Sequence, residues 1–167
     1  MEVTTNRIWR NPLFLLGLAI RLALIFLVVP KTQTDWFIPF LKTFIGSPSI
    51  DPWSMHILQG GDRFSFPYGA IMLVFYFPLS FVAASLNFIV QNEMLFSIAF
   101  GLSNLMADLA IFFILKLCLN ENSNNNIYFY WLSPLVVYIS YWLGHLDLVP
   151  IALLTASFVM IKYFKPL

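Results

Sequence analysis

The chain has 167 residues, 60% of them hydrophobic, and a mean hydropathy of +0.81. Soluble domains are about 45–50% apolar, so the composition points to an integral membrane protein. A formal net charge of +1 gives no electrostatic case for nucleic acid or acidic partners, and the single cysteine, Cys118, excludes an intrachain disulfide framework or a cysteine-built metal cluster.

Five apolar runs follow one another along the chain, at 12–29, 68–90, 94–119, 127–143 and 148–164. Each approaches the roughly 20 residues that cross a bilayer as a helix. The fold class expected is therefore an all-α, polytopic membrane bundle forming one domain. Arg7 and Arg10 precede the first run as in a secretory signal, but that run carries Arg21 and lacks a small-x-small cleavage pattern. It is read as an uncleaved first span. Segment 31–67 is rich in proline, glycine and aromatics, with a turn at Gly60-Gly61-Asp62, and is expected to be an outer loop with short interfacial helices. Pro78 would permit a kink or break within the second run. Asn120–Asn126 is a polar connector, and tryptophan and tyrosine gather near the run ends as interfacial belts do.

Charge decides between two topologies. With a cytoplasmic N-terminus and five crossings, Lys31, Lys42, Arg63, Lys116, Lys162 and Lys165 all fall outside, against the positive-inside rule. If 68–90 instead lies in the outer interface or re-enters, Arg7, Arg10, Lys116, Lys162 and Lys165 face the cytoplasm. Lys31, Lys42 and Arg63 then share one long outer loop, where the rule is weaker. Four crossings plus an interfacial or re-entrant helix is the reading that charge favours, with five crossings as the alternative. The four-span reading also puts the loop carboxylates and His145/Asp147 on one side, whereas five spans separate them.

Ionisable groups near the hydrocarbon zone need a reason, because each costs about 2.5–3.5 kcal/mol at a helix centre. Arg21 and Asp108 are intramembrane, and an ion pair between them is the simplest structural expectation. Asp35, beside Trp36 and Phe37 where the first span ends, is placed to be a general base or to be a solvated loop acid. Asp51 precedes Pro52, so a turn or helix cap is its plain reading. Arg63 either pairs with Asp62 or offers its planar fork to a phosphate. His145 and Asp147, at i and i+2 in a turn, suit a polar pocket but fall short of a metal motif.

The order of these features resembles the N-terminal part of the polytopic glycosyltransferases of the GT-C superfamily, which use dolichyl- or polyprenyl-phosphate sugars. The resemblance rests on Arg21-Leu22 in the first span, Thr34-Asp35-Trp36 after it, and Phe66-Pro67-Tyr68-Gly69 opening a helix. Ala107-Asp108-Leu109, Trp131-Leu132-Ser133-Pro134-Leu135 and Gly144-His145-Leu146-Asp147 then follow, similar to the family's W-x-x-P and G-(H/Q)-x-(D/Q) region.

The resemblance implies that the first outer loop carries the catalytic acid, best matched by Asp35 with Asp51 as second candidate. It also makes Arg63, Tyr68 and His145 candidates for contacts to donor phosphate or sugar, with Asp147 beside them. It implies a polyprenyl-phosphate-linked sugar donor, a lipid, glycan or protein acceptor, and a bacterial plasma or endoplasmic-reticulum membrane. Some family branches use a divalent cation; no metal site is identifiable here. Family members carry more spans, so the chain is expected to be the front part of a transferase or to need a partner membrane subunit. Two other classes compete: a non-catalytic membrane subunit or assembly factor, and a small transporter or channel with Arg21 and Asp108 on a polar path.

Overall fold

The computed structural model describes residues 8–118 and 127–163. The polar connector 120–126, Arg7 and Lys165 lie outside those residues. Every regular element among the described residues is helical. Helix α1 (Pro12–Leu27) starts where Asn11 accepts the Leu13 N–H at 2.9 Å and Pro12 fills the first turn, a position whose N–H would have no intrahelical partner. It stops at Val28, which turns extended two residues ahead of Pro30; the residue before that proline, Val29, is disfavoured from the helical region, so the helix ends short of it.

Segment 31–67 forms a π-helical turn at Gln33–Phe37 that runs into α2 (Ile38–Gly46), followed by the short α3 (Pro52–Leu58). These pack together through aromatic side chains. Phe40 stacks on Phe66 with centroids 4.8 Å apart, and the Trp53 indole N–H donates to the Phe66 carbonyl at 2.9 Å.

Two long helices come next, α4 (Ala70–Val90) and α5 (Met94–Cys118). Both are long and apolar enough to cross a membrane. They form an antiparallel hairpin whose turn is opened by Gln91 in the left-handed region. Pro78 removes one backbone donor and would permit a kink or break, yet α4 continues through it as one helix. α4 turns Ile71, Val74, Phe81, Phe88 and Ile89 outward. So large an apolar exterior is what a lipid environment accepts and water does not.

The run at 127–143 departs from expectation: it is not one helix. It divides into α6 (Ile127–Trp131), α7 (Pro134–Val137) and a second π-helical turn at Tyr138–Trp142. Pro134 explains the division. It has no N–H to give the Tyr130 carbonyl, and Ser133 before it turns extended and caps α7 by accepting the Val136 N–H. The chain closes its described part with the apolar α8 (Leu148–Tyr163), which packs on α5.

α5 is the central element. Its Ser97, Gly101, Asn104 and Asp108 recur at helical spacing, and all four are buried. α1 runs antiparallel along this side. Ile25 packs on Gly101 so closely that a Cβ there would come within 2.7 Å of it. Phe14 meets Phe112 at the far end, 5.3 Å between centroids.

Between them Arg21 donates from Nε to Asp108 Oδ2 at 2.5 Å, with both side chains fully buried. The Trp131 carbonyl, released from helical bonding by the Pro134 break, accepts from Arg21 at 2.7 Å. The guanidinium lies 3.8 Å from the Trp131 ring centroid. Tyr130 and Tyr141 complete the carboxylate by donating to Asp108 Oδ1 and Oδ2 at 2.5 and 3.0 Å.

Such a pair holds the fold through what its loss would expose. Arg21→Met leaves Asp108 buried and uncompensated and should cost about 3–5 kcal/mol. Arg21→Met combined with Asp108→Leu should return a large part of that loss. Thermal unfolding of the detergent-solubilised variants checks it; a double variant no more stable than Arg21→Met would contradict the pairing as the source of the cost.

Candidate functional site

Three segments distant in the chain meet beside the N-terminal half of α5. The first is the π-helical turn Gln33–Phe37. Its Phe37 is buried, edge-on to Tyr68 at 5.8 Å and against Phe100 at 6.2 Å. Its Asp35 is exposed, accepting from the Thr34 hydroxyl at 3.2 Å, with Trp36 exposed alongside. The second is the loop leading into α4, where Phe66 is clamped by Phe40 and Trp53 and carries Tyr68 with it.

The third is the turn Gly144–Asp147. Gly144 has φ +79°, a conformation only glycine takes without strain, and a Cβ there would come within 2.5 Å of Pro30 and 2.9 Å of Gln33. The turn is thereby pressed against the turn that carries Asp35. The Tyr68 hydroxyl lies 3.5 Å from Asp147 Oδ1, at the outer limit for a hydrogen bond. His145 is half-buried and Asp147 exposed.

Asn104 holds this arrangement from beneath, although the sequence reading did not single it out. Fully buried on α5, it donates to the carbonyls of Ser140 and His145 at 3.0 and 3.2 Å and accepts from the Tyr76 hydroxyl at 2.5 Å. The π-helical geometry at Tyr138–Trp142 departs from α-helical bonding next to it, a feature that often marks functional sites. A signal was present in the sequence, since Asn104 stands four residues before Asp108 within an apolar run and so shares its face.

The remaining candidates are placed differently. Asp51 caps α3, accepting the Ser54 N–H at 3.1 Å and the Ser54 hydroxyl at 2.5 Å. The Ser54 hydroxyl and backbone bonds hold its carboxyl below the usual aspartate value, which makes it a weak proton acceptor. Arg63 is exposed with its guanidinium 4.7 Å from the Phe64 ring centroid, and Asp62 accepts the Phe64 N–H at 2.8 Å to shape the turn. Arg21 and Asp108 form the buried pair described above, apart from the exposed carboxylates. His56 is buried with Nδ1 3.0 Å from the Thr43 hydroxyl, and burial pushes its pKa down. Among the described residues no group of three or more His, Cys, Asp or Glu is arranged to hold a metal ion.

Chemically, the three segments carry two exposed carboxylates, Asp35 and Asp147, a phenol 3.5 Å from Asp147 with Phe37 edge-on to it, and the half-buried His145. Burial, then the Asp147 charge, pushes the Tyr68 hydroxyl up to about 12. It therefore stays protonated at neutral pH and serves as a hydrogen-bond donor, not a base. An acid raised above its unfolded value of about 10 stabilises the fold in its protonated form. That contribution is complete below about pH 10 and is lost as pH climbs towards 12. Between those limits the unmodified chain should lose more stability than Tyr68→Phe, measured by denaturant titration in detergent at stepped pH; superimposable profiles would contradict the placement of Tyr68 against Asp147. The chain matches no protein-family model, no curated protein and no solved structure closely enough to place it in a family.

Proposed function

We propose that this chain is a membrane glycosyltransferase module of the GT-C type, transferring a sugar from a polyprenyl-phosphate donor at the outer membrane face. The observation that carries the proposal is the meeting of the π-helical turn that bears Asp35, the loop that bears Tyr68 and the His145/Asp147 turn on one side of α5. These are the segments in which the sequence resembles that family, and they come from three separate parts of the chain.

Two contacts support the four-span topology that the reading needs. Five spans would put Tyr68 outside and Asp147 inside, yet the two are 3.5 Å apart. Five spans would likewise separate Lys42 from Glu93, which form an ion pair. With four spans, both ends of α4 face outward. The N-terminus is then cytoplasmic, and the membrane is a bacterial plasma membrane or endoplasmic reticulum.

In this mechanism Asp35 takes the proton of the acceptor hydroxyl as that oxygen attacks the anomeric carbon. The bond between the anomeric carbon and the phosphate oxygen breaks, and the lipid phosphate leaves with the electron pair. Tyr68 donates to the charge that grows on the leaving phosphate or to a sugar oxygen, with His145 beside it and Asp147 orienting the phenol. Arg63, exposed on the same outer loop, is the cation available to the phosphate. Asp51 is the weaker candidate for the base because Ser54 already engages its oxygens.

The sequestration of Arg21 and Asp108 favours transfer over transport. Both are fully buried and bonded to each other and to Trp131, Tyr130 and Tyr141, which leaves no open polar path at that pair. A partner membrane subunit supplying further helices is compatible with the same chemistry.

Asp35→Asn keeps the shape and removes the base. Transfer from a radiolabelled polyprenyl-phosphate sugar, assayed in membranes together with any co-purifying subunit, should fall by about 10²–10⁴-fold, with expression and detergent stability unchanged. Transfer at the wild-type rate would remove Asp35 from the mechanism.

A further inference from the structure

A second polar place lies behind the exposed site. Where the first π-helical turn meets α5 there is a cavity of about 10 Å³ lined by Val28, Gln33, Ser97, Gly101, Ser140 and Tyr141 among others. That is close to the room one water needs. Gln33 and Ser97 are 1% and 3% exposed, and neither Gln33 Oε1 nor Ser97 Oγ has a hydrogen-bond partner among the described residues. Buried polar atoms in folded proteins are nearly always bonded to protein or to ordered water, since leaving them unpaired is costly. Here two such atoms belong to residues that line one water-sized space.

We infer that this cavity is a binding site for one water molecule, which donates to Gln33 Oε1 and bonds Ser97 Oγ, a hydroxyl able to give or accept. The lining chemistry argues for water over an ion. The side chains that line it are neutral, so a cation would find no carboxylate there, and the Arg21 guanidinium lies 5.6 Å from the Tyr141 ring centroid close by. An anion would find no cationic side chain in the lining and too little room. The water fastens the turn that carries Asp35 to α5, so it acts as an internal pin behind that turn. This inference is independent of the glycosyl-transfer reading, because it concerns occupancy and stability and not chemistry.

The test is a double-variant cycle on the full chain purified in detergent. Gln33→Leu and Ser97→Ala should each lower the unfolding midpoint, by about 2–4 °C, because each strips the water of a partner. The double variant should lie near the single variants, well short of their sum, because removing both partners empties the site once. Midpoints that rise in both single variants would show unpaired atoms and overturn the inference, as would strict additivity. If Gln33→Leu fails to fold, Ser97→Ala and a high-resolution density map of the unmodified chain decide. A spherical peak within hydrogen-bond reach of both oxygens supports the water, and its absence overturns it. A midpoint that rises when sodium chloride replaces choline chloride at fixed ionic strength assigns the cavity to a cation and also overturns it.

Discussion

The contact on which the rest of the structure depends is the buried pair of Arg21 and Asp108. It unites α1, α5 and the broken segment at residues 127–142 through one set of charged and polar contacts. In a lipid environment apolar side chains gain little by leaving lipid for protein, so a directional polar contact is the means of selecting one arrangement. Arg21 is fixed by charge, by the Trp131 carbonyl and by the Trp131 ring. Trp131 in turn donates to the Phe14 carbonyl at 3.0 Å and fills the space over Gly17, where a Cβ would come within 2.2 Å of its indole nitrogen. The same proline that breaks the helix supplies the carbonyl that Arg21 needs. Breaking the helix and holding the charge are one feature of the fold.

That arrangement sets the register of the segments that meet beside the N-terminal half of α5. With Asp108 fixed against Arg21, Asn104 stands one turn along α5 and meets the carbonyls of Ser140 and His145. The Gly144 turn is then pressed on Gln33, and Asp147 comes to Tyr68. The exposed carboxylate of Asp35 rests on a turn whose neighbouring residues are buried on both sides, Gln33 and Phe37. A flexible loop would not hold a carboxylate in place, whereas a turn anchored in this way would.

Much of this was legible in the residues and some was not. The all-helical class followed from composition and run length, and the apolar runs matched α1, α4, α5 and α8 to within a residue or two at their ends, because apolar length is a direct consequence of what a helix must bury or expose. The partnership of Arg21 with Asp108 could be anticipated because two opposite charges in apolar runs leave few alternatives. The division at Ser133–Pro134 was written in the sequence, yet hydropathy alone hides it, since a broken helix and a continuous one are equally apolar. Pro78 points the opposite way: it would permit a kink or break, yet the helix is unbroken across it. Gln33 went unread because it meets the Gly144 turn, which no side-chain pattern announces, whereas Asn104 was marked only by its place one turn from Asp108. Asp51 was open to both readings, and the geometry gives it to capping.

The most direct test of the central claim, that chain-distant segments gather on one outer face, is site-directed labelling. In a Cys118→Ser background, single replacements Asp62→Cys, Glu93→Cys and Asp147→Cys would be exposed in intact cells to a membrane-impermeant maleimide, with Ser123→Cys as the opposite-face control. Labelling at 62, 93 and 147 without permeabilisation, and at 123 only after it, is the predicted result. Labelling of 93 or 147 from the face opposite to 62 would contradict it.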